Sequence, residues 1–153
     1  MTQYTNQFVQ TPEKGFLDLQ NGMNNVHNCQ VSNSESGTVV AGEAVKLEDS
    51  AGGVPKVLKL AANTDKTFGF AVYNQKDTGF TAGMGVSIAT NGTVMHMIAG
   101  AAIARGAKLE VVYSTGKIIT NAGTNPVVGY ALDKAAADGD VVRVLIGTPN
   151  TSF

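Results

Sequence analysis

Few residues in this chain have the reactivity for catalysis or metal binding. It contains two histidines, His27 and His96, and one cysteine, Cys29. His27-x-Cys29 is a single short pair with no second pair to complete it, whereas zinc sites need three or four ligands at paired spacings. A nucleophilic Cys29 would need a base and a group to orient that base. Neither histidine lies in a signature that supplies them. Gly83-Met84-Gly85 stands beside a strand but opens no helix and lacks a following Gly-Lys-Ser/Thr, so it is not a phosphate cradle. Glu48-Asp49 offers too few oxygens at regular spacing for calcium; the stretch from Glu48 to Pro55 reads as a solvated loop. Lys56, Lys59 and Lys66 read as strand charges that deter edge pairing. The residues thus point away from enzymes and cofactor carriers, and no metal or cofactor is expected.

The elements that carry these residues are read from the composition. The 153 residues suit one domain with a sizeable core. Charged residues make up only 15%, against roughly 25% in ordinary globular proteins. The net charge of −1 removes the electrostatic handle of a nucleic-acid or anionic-membrane binder. One cysteine allows no internal disulfide, so packing or partner contacts must hold the fold. Met1–Gln10 has neither the basic start nor the apolar run of a signal peptide, and no apolar stretch is long enough for a transmembrane helix.

The texture changes near Gly37. Residues 1–37 hold eleven Asn and Gln, and their apolar residues follow no period. This stretch reads as an extended polar arm, with one helical turn possible at Thr11-Pro12-Glu13. A β body follows over 38–148, and 149–153 form a short C-terminal tail. The body shows short Val, Ile, Leu and Ala runs separated by Gly, Asn, Asp and Ser, an all-β pattern. Asn91-Gly92 predicts a two-residue hairpin pairing Ile88 with Met95 and Val86 with Met97, with those four on the core face. Thr115-Gly116 predicts a second hairpin, with Tyr113 opposite Ile118. Asp138-Gly139 predicts a turn before a strand over 141–146, and Asp133–Ala137 is the best helical candidate in the body. The body also reads as an internal repeat. Val40–Leu47 matches Ala104–Val111, Phe68–Val72 matches Val128–Leu132, and Ala82–Val86 matches Asp138–Val141. Two such halves would pack as a closed barrel or sandwich.

Taken in order, these segments resemble a known family. Val40-Ala41-Gly42-Glu43-Ala44-Val45, Gly69-Phe70-Ala71-Val72, Ala101–Leu109, Val111–Ile118, Pro126–Leu132 and Asp138–Val144 are similar to the "A-G-x-x-V" turns and the "P-x-x-G-x-A" and "G-D-x-V-x-V" strands of capsid decoration, or cement, proteins of tailed bacteriophages. The resemblance spans about 38–147. It implies a compact β-barrel or β-tulip, jelly-roll-like body with an extended N-terminal arm. It also implies a non-enzymatic protein made in the host bacterial cytoplasm. Such a protein sits on the outer capsid surface, contacts the major capsid protein and itself, as a homotrimer sooner than a dimer, and touches neither nucleic acid nor membrane. On this reading Phe8, Phe16, Leu17 and Leu19 are the capsid-binding anchors of the arm, and a deletion of residues 2–30 leaves a folded body. A tail or fibre module and a small ligand-binding β-barrel are the alternatives.

Overall fold

A computed structural model describes residues 14–18, 24–77 and 79–147. Among them there are twelve β-strands and no helix. Strands β1 (Val26–Val31), β4 (Lys56–Lys59), β3 (Ala44–Leu47), β5 (Gly69–Ala71) and β7 (Gly85–Ala89) close, in that order, into a barrel. A second sheet runs β10 (Lys117–Thr120), β9 (Lys108–Val112), β11 (Gly129–Ala131), β12 (Val141–Ile146) and β8 (Val94–Ile98). β2 (Val39–Val40) and β6 (Gly79–Phe80) form a separate two-stranded ladder.

The two five-stranded sheets repeat one order: β4-β3-β5-β7-β1 in the first matches β10-β9-β11-β12-β8 in the second. Their connections match in detail. Gly42 N–H donates to Ala71 O at 2.7 Å, as Gly106 N–H does to Ala131 O. Gly83 N–H donates to Val31 O and Gly139 N–H to Ala99 O. All four glycines have φ between 77° and 94°, which only a residue without a Cβ adopts freely. The first barrel closes through two parallel pairs, Gln30↔Lys56 and Val31↔Val57. The second sheet closes through a single parallel bridge, Ala99↔Ile118.

Alternation along each strand sends every second residue inward. In the first barrel Cys29, Val31, Val45, Val57, Ala71, Val86 and Ile88 form the core. In the second, Met95, Met97, Leu109, Val111, Ile118, Val142, Val144 and Ile146 do so, joined by Ala44, Phe70 and Ala89 from the first barrel. The halves therefore share hydrophobic packing. Glu110, 4% exposed, is held by Asn121, Asn125 and the Ala122 N–H, all within 3.1 Å.

Several sequence expectations are corrected here. Asn91-Gly92 does reverse the chain, with Gly92 at φ 91° and Thr93 N–H donating to Thr90 O. The strands it joins do not pair: β7 lies between β1 and β5, and β8 lies beside β12. Val86, Ile88, Met95 and Met97 are all buried, but in two different cores. A turn signal fixes a local reversal, whereas core burial selects the partner strand. The β9–β10 hairpin forms with a four-residue loop, Tyr113–Gly116, and with Ile118 opposite Val111 instead of Tyr113. Asp133–Ala137 is not helical, because Ala135 bridges Ile103 and the Asp133 carboxylate is drawn to Arg143. Val26–Val31, read from the sequence as arm, forms β1, paired with β7 over five residues. Removing residues 2–30 would therefore take a strand out of the closed barrel. The Thr11–Glu13 turn and the 149–153 tail lie outside the described residues.

Gly69 and Gly129 occupy matching sites where two strands approach too closely for a side chain. A Cβ at Gly69 would strike Ala89 O, and one at Gly129 would strike Leu145 O. Gly129→Ala should therefore cost about 3 kcal/mol through strand displacement. Gly53→Ala, at a positive φ in open space, should cost only about 1 kcal/mol. Denaturant midpoints of the two variants check this, and equal losses would contradict the packing at Gly129.

Candidate interaction surface

Because the second sheet is pinned at only one bridge, the N-terminal half of β8 presents a free edge, and Gly15–Asp18 fills it. Gly15 N–H donates to His96 O at 2.8 Å, His96 N–H to Phe16 O at 2.8 Å, and Asp18 N–H to Val94 O at 2.9 Å. Leu17 and Met95 are opposed in an antiparallel bridge. The same segment touches the first barrel: Tyr73 N–H donates to Gly15 O at 3.1 Å, and the Phe16 ring lies 4.4 Å from the Tyr73 ring. A side chain at Gly15 would run into the backbone of Ala41 and Gly42. This short strand thus clasps the two barrels together.

Charges flank the clasp. Arg143 on β12 makes a two-pronged ion pair with Asp133, both contacts at 2.8 Å, and reaches Asp18 at 3.4 Å. The guanidinium hydrogen bonds hold the Asp133 carboxyl down at about 2, and the carboxylates raise Arg143 further still. At the other end, burial lowers the Lys14 ammonium; Glu43 opposes this and Lys59 adds to it. Glu43 itself pairs with Lys59 at 3.1 Å.

Of the four arm residues singled out in the sequence, Phe16 and Leu17 are thus both half-buried against the chain's own sheets, Leu17 on the core of the second. Phe8 and Leu19 lie outside the described residues. Cys29 is buried in the first core, and burial pushes its thiol up. His27 sits 6.2 Å from the Phe68 ring and His96 Nδ1 lies 3.2 Å from Phe16 O. Among the described residues no three His, Cys, Asp or Glu side chains come together as metal ligands. A groove of about 470 Å³ on the first barrel is lined by uncharged residues, including Asn28, Tyr73, Asn74, Gln75 and Ser87. Sequence reasoning passed over the large apolar residues left in solvent. Leu47 is 49% and Val54 58% exposed, flanking the β3–β4 loop, and Tyr113 is 44% exposed in the matching β9–β10 loop. Their exposure depends on loop geometry, and periodicity carries no signal for it.

The described residues thus form a closed five-stranded barrel and a matching five-stranded sheet, with apolar side chains exposed beside their loops. A family model described as phage cement protein matches residues 23–146, a span that takes in all twelve strands. The chain belongs to the phage cement protein family, and its role is accordingly a structural one in the phage capsid. No curated protein sequence matches it. Among solved structures it is similar to the head fiber gp8.5 N base of bacteriophage phi29. That match has a TM-score of 0.57 at 17% identity and covers 86% of this chain and 100% of that one; it shows a shared fold.

Two measurements test the clasp. Leu17→Ala should cost about 2 kcal/mol, the low end for a large-to-small change in a packed site, whereas Leu47→Ala should change stability by less than about 0.5 kcal/mol. Asp133 has a folded-state value of about 2, below its ordinary 3.8. Its contribution is therefore complete above 3.8 and is lost as pH falls towards 2. Asp133→Asn should flatten that part of the stability–pH curve, as read by thermal unfolding at a series of pH values.

Proposed function

We propose that the protein binds the outer surface of an expanded phage shell, contacts neighbouring major-capsid subunits there, and stiffens the shell against internal pressure. It does so without catalysis, as a homo-oligomer assembled after synthesis in the host cytoplasm. The observation that carries this reading is the family match, which spans both barrels. The physical features agree with it. The net charge of −1 suits a part that never meets packaged DNA. Every strand is short and tied to its neighbours by backbone hydrogen bonds, and the clasp couples the barrels, so load on one half passes to the other. Phe16 and Leu17 are engaged within the chain. On this reading the shell contact therefore falls on the exposed apolar residues beside the β3–β4 loop, Leu47 and Val54. Apolar anchors at loop ends, ringed by polar residues, are the form such contacts take.

Co-sedimentation with expanded, undecorated shells tests the reading. Leu47→Asp with Val54→Asp should leave the thermal transition in place and weaken attachment at least tenfold, about 1.4 kcal/mol. Unchanged attachment would move the contact elsewhere on the body. If the wild-type chain failed to sediment with shells at all, the outer-surface reading would fall.

A further inference from the structure

The two matched sheets differ in chemistry at one place in their shared unit. Val72 N–H donates to Ser87 O at 2.9 Å, as Leu132 N–H does to Arg143 O at 2.8 Å. Asn28 is paired with Ser87, and His96 with Arg143. Tyr73, Ser87 and Asn28 therefore stand where Asp133, Arg143 and His96 stand in the second sheet. There the place is filled. The Arg143 guanidinium lies on the Asp133 carboxylate, and Gly15–Asp18 runs beside His96 and meets Arg143 through Asp18. In the first barrel a serine stands for the long cation and a tyrosine for its carboxylate. Between them lies the groove of about 470 Å³. Every residue that lines it is among those described, and none is charged.

We propose that this groove is a binding site for a neutral saccharide. Its polar groups are partly fixed in advance, which lowers the cost of binding. Tyr73 is held by its N–H bond to Gly15 O and by the Phe16 ring 4.4 Å away. Asn74 Oδ1 accepts from Lys76 N–H at 3.0 Å, which orients that amide and leaves its Nδ2 hydrogens to donate. Ser87 Oγ donates to Asn28 Oδ1 at 3.4 Å, which leaves the serine lone pairs to accept and the Asn28 Nδ2 hydrogens to donate. Exposed Gln75 adds a further amide. A sugar hydroxyl both donates and accepts, and amides and hydroxyls answer both needs. The C–H face of a sugar ring suits the aromatic side chains of Tyr73 and Phe80, which line the same groove. A phosphate, carboxylate or ammonium ligand would be desolvated there with no charged side chain to pair with. The volume falls in the range of about 300–1,000 Å³ usual for small-molecule sites. The inference goes beyond the capsid reading, and its test uses no capsids.

Saturation-transfer NMR on the full-length chain tests it. The probes are glucose, galactose, mannose and N-acetylglucosamine, with sialic acid and glucose 6-phosphate as charged comparisons. Transfer to at least one neutral sugar, and to neither charged one, is the expected result. Asn74→Ala with Gln75→Ala changes two exposed side chains. The thermal transition should stay in place while titration shows the best sugar bound about tenfold more weakly, as the loss of two hydrogen-bonding amides implies. Ser87→Arg, which places the second sheet's residue in the first barrel, should abolish transfer by filling the groove. Transfer to none of the four neutral sugars would overturn the proposal, as would equal transfer to the charged ones. Full affinity in the Asn74→Ala, Gln75→Ala chain would place the sugar elsewhere and overturn it too. An acetylated, amidated tetraserine peptide that takes up saturation where the sugars do not would overturn it in favour of a peptide groove.

Discussion

The structure depends on how a small barrel disposes of its last open edge. Five short strands close a barrel only if the two end strands of the sheet order meet, β4 with β1 and β10 with β8, and here that meeting is confined to the ends of β1 and β8. Where the strands splay, backbone donors and acceptors would be left in partly dry surroundings, at a cost comparable to a lost hydrogen bond for each group. In the second sheet Gly15–Asp18 supplies the missing strand. Much else follows from this insertion. Leu17 seals the core over Met95, the Phe16–Tyr73 contact draws the first barrel close, and Asp18 is placed within reach of Arg143. Four residues thereby do what a longer β10 or β8 would otherwise do, and they also join the halves.

The joint is cohesive because it mixes kinds of interaction with different weaknesses. The shared apolar cluster, with Phe70, Ala44 and Ala89 crossing from the first barrel, loses strength on cooling. The Arg143–Asp133 pair is two-pronged and therefore better defined than an ordinary surface pair, but salt and acid weaken it. The Lys46–Asp65 and Lys117–Asp138 pairs at the periphery are single contacts between partly exposed groups and add little. The backbone bonds of the clasp depend on neither the apolar cluster nor the ion pairs. Loss of any one class leaves the other two in place.

What the sequence made legible was local. The Gly-turn-strand units at Gly42, Gly106, Gly83 and Gly139 stand where their positive φ is required, and the alternation in Val141–Ile146 matches its burial. All-β class follows from those two facts. Pairing was not legible. Asn91-Gly92 carries as strong a hairpin signal as a sequence offers, yet Ile88 and Met95 belong to different cores, because Gly92 and Thr93 are tied instead to Ile146. Asp133 to Ala137 shows helical composition, but an Arg ten residues away outcompetes a single helical turn, which is costly to nucleate. β1 was hidden for a related reason. Val26-His27-Asn28-Cys29-Gln30-Val31 has three polar residues on a strand with an open edge, so its pattern reads as arm until its neighbours are known.

The same reasoning explains why Phe16 and Leu17 were visible as anchors while their target was not. A four-residue strand has too little length to show a period, and an isolated aromatic–aliphatic pair in an amide-rich stretch signals only that something apolar must be met. That target lies 78 residues away along the chain for Leu17 and Met95. Such long-range closure carries a large entropic cost before any contact rewards it. It is stable here because the edge it covers already exists once β8 and β12 have paired. The same geometry recurs at β1, which pairs with β4 only at Gln30 and Val31: one unit, used twice, with a covering segment described for one of its two edges.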